Sequence, residues 1–194
     1  MGQYYTATLQ KDNTFSFLDP GNYSNGRKLM EHSYFNNYFI NTVLNELLNN
    51  PQKLTWVGDY AEIKDLPSNE EIINAQKNQE LKIIPKIIKN DKNFNFVFNH
   101  TKKEYIDLKN YKEQAILKIK SKIKNNDDLK FYLSCLVHPV PLLTAIGNGR
   151  GGGDYYKEYS DYNMVGYWAG DLIEILEENE YDNFKELNVF FCEC

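Results

Sequence analysis

A chain of 194 residues with a net charge of −5, 42% hydrophobic and 14% aromatic, can bury a substantial core without disulfide or metal staples and is too apolar for a disordered tail. No stretch of 18 apolar residues occurs, which excludes a membrane-spanning helix and leaves no membrane partner to expect. The opening MGQYY lacks the charged and apolar regions of a secretory leader, and the three cysteines, Cys135, Cys192 and Cys194, are odd in number; a cytoplasmic protein with reduced thiols is the expectation.

Gln3 to Leu9 reads as an opening strand that pairs with Phe15 to Leu18, before an Asp19-Pro20-Gly21-Asn22 turn. Phe35, Phe39, Val43 and Leu47 recur every four residues, predicting an amphipathic helix from about Asn36 to Leu48 that Pro51 stops. A short strand, Leu54 to Val57, ends at Gly58-Asp59. Ser68 with Glu71 three residues later is a capping-box pattern for a helix to about Leu81. Asn95 to Phe98 and Glu104 to Leu108 read as a hairpin whose connection, Asn99 to Lys103, is rich in donors. Tyr111, Ala115, Ile119 and Ile123 mark a lysine-coated helix from about Lys109 to Lys124. Leu129 to Val137 reads as strand or buried helix, Met164 to Ile175 as strand, and Leu187 to Cys192 as a closing strand. Without a βαβ rhythm or an internal repeat, the chain is expected to be one α+β domain spanning 1–194, with a mainly antiparallel sheet and two to four helices.

Charge is unevenly spread. Residues 77 to 130 carry 14 lysines against 7 acids, and residues 154 to 194 carry 11 acids against 2 lysines. Such runs are commonly solvated faces, but they also suit a basic face for nucleic acid or an acidic face for a basic partner. The negative total gives no reason to expect bulk nucleic-acid binding.

The densest feature is His138 to Tyr156, HPVPLLTAIGNGRGGGDYY, which holds five of the eleven glycines. Consecutive backbone N–H groups around Gly149, Arg150 and Gly151 could cradle a phosphate, with the Arg150 guanidinium adding a bidentate contact. The alternative is a glycine-rich turn in which Arg150 pairs with Asp154. The loop matches neither nucleotide fingerprint: prolines precede it where a dinucleotide fold needs a strand, and no Gly-Lys-Ser/Thr follows. A second pattern repeats Trp56-Val-Gly-Asp59 as Trp168-Ala-Gly-Asp171. Either the indoles are core anchors above aspartate-capped turns, or Trp56 and Trp168 wall a pocket into which Asp59 or Asp171 projects.

Taken together, MGQYY, GRKLMEHS, WVGDYAE, NHTKKEYIDL, the glycine loop and VGYWAGDLIEI resemble a family of bacterial and phage-encoded proteins. That family has no assigned reaction, so the resemblance implies a single-domain accessory protein of bacterial, phage or prophage origin, with no catalytic residue carried over. The lysine-rich segments 77–93 and 109–130 fall between the motifs, as variable segments would.

All three histidines, His32, His100 and His138, lie in these motifs, and histidine is the usual acid or base at neutral pH. Zinc-ligand spacings are absent, so no metal and no cofactor are expected. No GxSxG occurs, and Cys135 is set among apolar residues as an inert thiol would be. The leading expectation is a polar cleft that binds a phosphorylated ligand, such as a nucleotide. Gly149, Arg150, Gly151 and Asp154 would form its phosphate cradle; Lys102 and Lys103 would add charge, and Trp56, Trp168 and Asp171 would contact the ligand. His100 or His32 would act as acid or base, oriented by Glu31 or Asp59, in hydrolytic chemistry. One alternative is an anti-defence protein, for example an anti-CRISPR inhibitor, whose acidic carboxy-terminal surface binds a host protein or nucleoprotein complex. The other is a structural or assembly role with the motif residues buried as scaffold.

Overall fold

The computed structural model describes residues 3–62, 94–147, 155 and 157–194. The helix expected at Ser68 to Leu81, the lysine-rich segment 77–93 and the loop residues Gly149, Arg150, Gly151 and Asp154 lie outside the described residues.

The described strands are β1 (Tyr5–Lys11), β2 (Thr14–Leu18), β3 (Gln52–Gly58), β4 (Phe96–Asn99), β5 (Glu104–Asp107), β6 (Ala145–Ile146), β7 (Leu172–Leu176) and β8 (Lys185–Glu186). The helices are α1 (Leu29–His32), α2 (Tyr38–Glu46), α3 (Leu108–Lys122), α4 (Asn126–Ser134) and α5 (Pro139–Leu143). The strands form one sheet in the order β2-β1-β3-β7-β4-β5-β8, with β6 also paired to β3. All pairings are antiparallel except β3 with β6 and β5 with β8. The fold is therefore α+β on a mainly antiparallel sheet. Five α-helices are described where two to four were expected, the additions being the short turns α1 and α5.

Alternation puts Tyr5, Ala7 and Leu9 of β1 into the core beside Trp56 and Leu54 of β3. α2 begins where Asn37 accepts hydrogen bonds from the N–H groups of Phe39 and Ile40, satisfying donors that a helix start leaves open. Its stripe, Phe39, Ile40, Val43 and Leu44, is excluded from solvent. α3 is capped in the same way by Asp107, which accepts from Lys109 and Asn110, and it buries Tyr111, Ala115 and Ile119, the four-residue spacing seen in the sequence.

Three sequence expectations are corrected. Residues 129–137 are neither strand nor buried helix: α4 covers Asn126–Ser134 with no fully buried residue. An Asn125 cap and the acids Asp127 and Asp128 in the first turn start it. Met164 to Ile175 is strand only from Leu172, because a 3-10 turn at Tyr162–Met164 and left-handed glycines at 166 and 170 bend the chain first. Leu187 to Cys192 runs without strand pairing; isolated backbone bonds at Leu187 and Phe190 and side chains hold it, and the ladder closes earlier at Lys185–Glu186.

Candidate functional site

The β4–β5 turn and the Trp168–Asp171 turn, far apart in sequence, are stitched together by side chains. Asn99, fully buried, accepts from the Lys102 N–H at 2.9 Å and donates through Nδ2 to Asp171 Oδ2 at 2.8 Å. Asp171 Oδ2 also pairs with the Lys102 ammonium. Leu172 donates its N–H to Thr101 Oγ1 at 3.0 Å, and its carbonyl accepts from the His100 N–H at 2.9 Å. Glu104 receives the Trp168 indole N–H at 2.9 Å on one oxygen and the Tyr167 hydroxyl at 3.1 Å on the other. The turn is tight enough that Lys103 is left-handed, at φ 57°.

His100 stands at the centre of this rim. Its Nε2 lies 2.8 Å from Glu174 Oε2, an oxygen that also accepts the Tyr181 hydroxyl at 3.0 Å. Glu174 is 6% exposed, and a buried carboxylate needs such partners. Tyr181 and Phe184 stand edge-on to the imidazole at 5.2 and 5.4 Å. With the carboxylate accepting, Nε2 carries the proton and Nδ1 is the nitrogen left for chemistry. The Lys102 ammonium sits 5.1 Å over the Tyr167 ring, and that of Lys103 4.9 Å over Phe184. Burial, and then the hydrogen bond to Glu174, hold the Tyr181 phenol above its ordinary range; burial and Glu104 do the same to Tyr167.

His100, Lys102, Lys103, Trp168 and Asp171 thus come together. The other described candidates do not join them. His32 is fully buried: its Nε2 accepts the Trp56 indole N–H at 2.9 Å and its Nδ1 lies 2.9 Å from the Gly26 carbonyl. Because the indole can only donate, the tautomer is fixed and both ring nitrogens are committed. Burial pushes its pKa down to about 4. Trp56 and Trp168 are both fully covered by protein, so neither offers an open face for stacking a base. Glu31 is spent on helix capping, accepting from the Lys28 N–H at 3.0 Å. Asp59 lies at the exposed end of β3, accepting from the Tyr4 N–H at 3.1 Å. His138 caps α5 through Nδ1, and burial, with Lys112 nearby, pushes its pKa down to about 3.

Sequence reasoning missed Glu174, Glu104, Tyr167 and Tyr181. Glu174 did leave a signal, a lone carboxylate inside the apolar strand Leu-Ile-Glu-Ile-Leu. The cysteines are unpaired; Cys192 is pushed up to about 12 by burial and its neighbour Cys194, which suits an inert thiol. Among the described residues no cluster of histidine, cysteine and carboxylates is placed to hold a metal, and no helix is long and apolar enough to cross a membrane. Compared with known protein families, curated proteins and solved structures, the chain matches none.

Proposed function

We propose that the rim around His100 binds a phosphorylated ligand of nucleotide class and that His100 moves a proton there in a hydrolytic reaction. The observation that carries this reading is the His100–Glu174 pair: a partly exposed imidazole held at 2.8 Å by a buried carboxylate, the arrangement that orients a general base. Lys102 and Lys103 supply cations beside it, and Arg150 of the glycine loop is the candidate for a further phosphate contact. Tyr167, 39% exposed, replaces the covered indoles as the ring on which a base could stack. In the reaction, His100 Nδ1 takes a proton from water as its oxygen attacks phosphorus. The bond from phosphorus to the leaving oxygen breaks, and that oxygen takes the proton from the imidazolium.

Thermal-shift titration against nucleoside monophosphates, dinucleotides and cyclic nucleotides tests it, because a ligand that binds the folded state must raise Tm. A shift that Arg150→Ala or Tyr167→Ala reduces is expected, with turnover lost and binding kept in His100→Asn. No shift with any nucleotide refutes the reading.

One observation favours a second reading, an anti-defence protein that binds a basic host surface. Glu177, Glu178, Glu180 and Asp182 form an exposed acidic stretch between β7 and β8. Much of the remaining acid in the segment is engaged: Asp171 and Glu174 are buried in the rim, and Asp161, Glu186 and Glu193 have partners. Reversing those four charges would abolish inhibition of a nucleic-acid-guided complex while leaving ligand binding at His100 intact, if this reading holds.

A further inference from the structure

The end of β5 away from the His100 turn opens onto a groove between α3 and the chain that follows β8. Asn110, Gln114, Lys118 and Lys122 are spaced four apart, so they lie along one side of α3, and all four line this groove. Its first part, of about 160 Å³, runs from Ile106 and Asp107 past Glu186 and Asn188. Its second part, of about 360 Å³, is bounded by Tyr159, Ser160 and Phe190, and lies within the range of about 300–1,000 Å³ common for ligand sites. Lys118 borders both parts, so they adjoin along α3.

The α3 side of the trench is rich in lysine, whereas the lining of its wider part balances Lys118 and Lys122 against Glu158 and Asp161. Residues 109–124 carry six lysines and one acid, and Lys109, Lys118, Lys120, Lys122 and Lys124 are exposed. Within the trench the lysines rest on aromatic faces: Lys118 lies 4.9 Å from the Phe190 ring centre and Lys122 4.7 Å from that of Tyr159, which is 42% exposed. Two of the carboxylates lining it already have partners, Asp161 accepting from the Phe190 N–H at 2.7 Å and Glu186 from the Asn110 amide at 2.7 Å. Glu158 stays exposed.

We infer that this trench is a binding site for single-stranded nucleic acid. A phosphodiester chain supplies the anions that draw Lys118 and Lys122 off the rings, and an unstacked base replaces Lys122 on Tyr159. Exposed cations beside an open aromatic ring, with amides to meet base edges, are what sequence-tolerant single-strand binding requires. A duplex keeps its bases stacked and cannot use the ring. The overall charge of −5 speaks against bulk binding; the local placement of the lysines carries the inference.

The test is fluorescence-anisotropy titration of the whole protein with oligo(dT) and oligo(U) of roughly 12 nucleotides, a duplex of equal length, and inorganic polyphosphate. Binding to one or both single strands is expected, weakening by about tenfold or more between 50 and 200 mM salt. Lys118→Glu with Lys122→Glu should weaken it by at least about tenfold, Tyr159→Ala should weaken it, and Tyr159→Phe should not. These residues are on the surface, and an unchanged Tm would show that each variant folds. No binding at low salt, equal binding of duplex and polyphosphate, or binding unaffected by the double lysine variant overturns the inference. Saturation of the trench should leave nucleotide binding at His100 intact, so the two sites fail or succeed independently.

Discussion

Trp56 donates its indole N–H to His32 Nε2 across 2.9 Å, and His32 in turn meets the Gly26 carbonyl at 2.9 Å, with both side chains fully buried. The chain from α1 through the imidazole to β3 is thereby a structural strut. Each end of it is a buried polar group whose alternative partner would be water, so removing the middle leaves an orphan on both sides. His32→Ala should destabilise the protein by about 3 kcal/mol or more, through a cavity as well as two lost hydrogen bonds. Trp56→Phe should cost less, and a double-mutant cycle by urea denaturation should return a coupling of about 1–2 kcal/mol between the two positions. A coupling near zero would show that the strut contributes nothing beyond packing.

The same burial makes stability depend on pH. His32 and His138 are held at about 4 and about 3 in the native state, against about 6.5 in an unfolded chain. Below pH 6.5 the unfolded chain therefore binds more protons than the native one, and stability falls as the pH falls. The loss begins near pH 6.5 and ends only when the pH has passed through about 4 for His32 and about 3 for His138. Each histidine should contribute up to about 1.4 kcal/mol per pH unit inside that window. Denaturant midpoints at pH 7, 6 and 5 check the slope. His138→Asn, which keeps a capping side chain for α5, should halve it.

Much of this architecture was legible in the sequence because it rests on local rules. The four-residue stripes of α2 and α3 and the first hairpin need only periodicity and turn chemistry, and all three are present. Capping by Asn37 and Asp107 then sets where the helices begin. The rim was half legible. His100 and Lys102 drew notice in a donor-rich turn, whereas Glu174 and Tyr181 gain their role from the β4–β7 pairing, which sets Phe98 opposite Glu174. No local pattern announces that neighbour. His32 and Trp56 drew notice as well, as a base and a stacking platform, but residue type cannot show that an imidazole and an indole have already satisfied each other.

Gly166 lies in the bend that delays β7. Its φ is 79°, and a β-carbon there would lie 2.7 Å from the backbone carbonyl oxygen of Ala145. The neighbour is main chain of β6, itself paired to β3 at Trp56, so it cannot swing away as a side chain could. Gly166→Ala should cost at least about 2 kcal/mol, combining left-handed strain with the displaced strand. Because Trp168 N–H bonds to the Leu143 carbonyl and Gly166 N–H to that of Leu142, the shift should reach the rim and change the near-ultraviolet signal of Trp168. A variant as stable as the parent would contradict the crowding.

One phenol makes several of the bonds that tie down the carboxy-terminal segment. Tyr155 OH lies 2.6 Å from Ser160 Oγ, 2.8 Å from the Cys192 carbonyl and 3.2 Å from the Cys192 N–H, so it stands in for the strand ladder that the segment lacks. Phe191 N–H is held in the same way by Tyr111 OH at 3.3 Å. Tyr155→Phe keeps the ring against Phe191 and removes only the hydroxyl, leaving a buried amide and carbonyl without it. The expected loss is about 2 kcal/mol. Since local opening exposes the segment before the sheet unfolds, amide exchange at Cys192 should accelerate in Tyr155→Phe while that of β3 follows only the global change. If both accelerate by the same factor, the segment is part of the global folding unit and its hydroxyl anchor has no separate role.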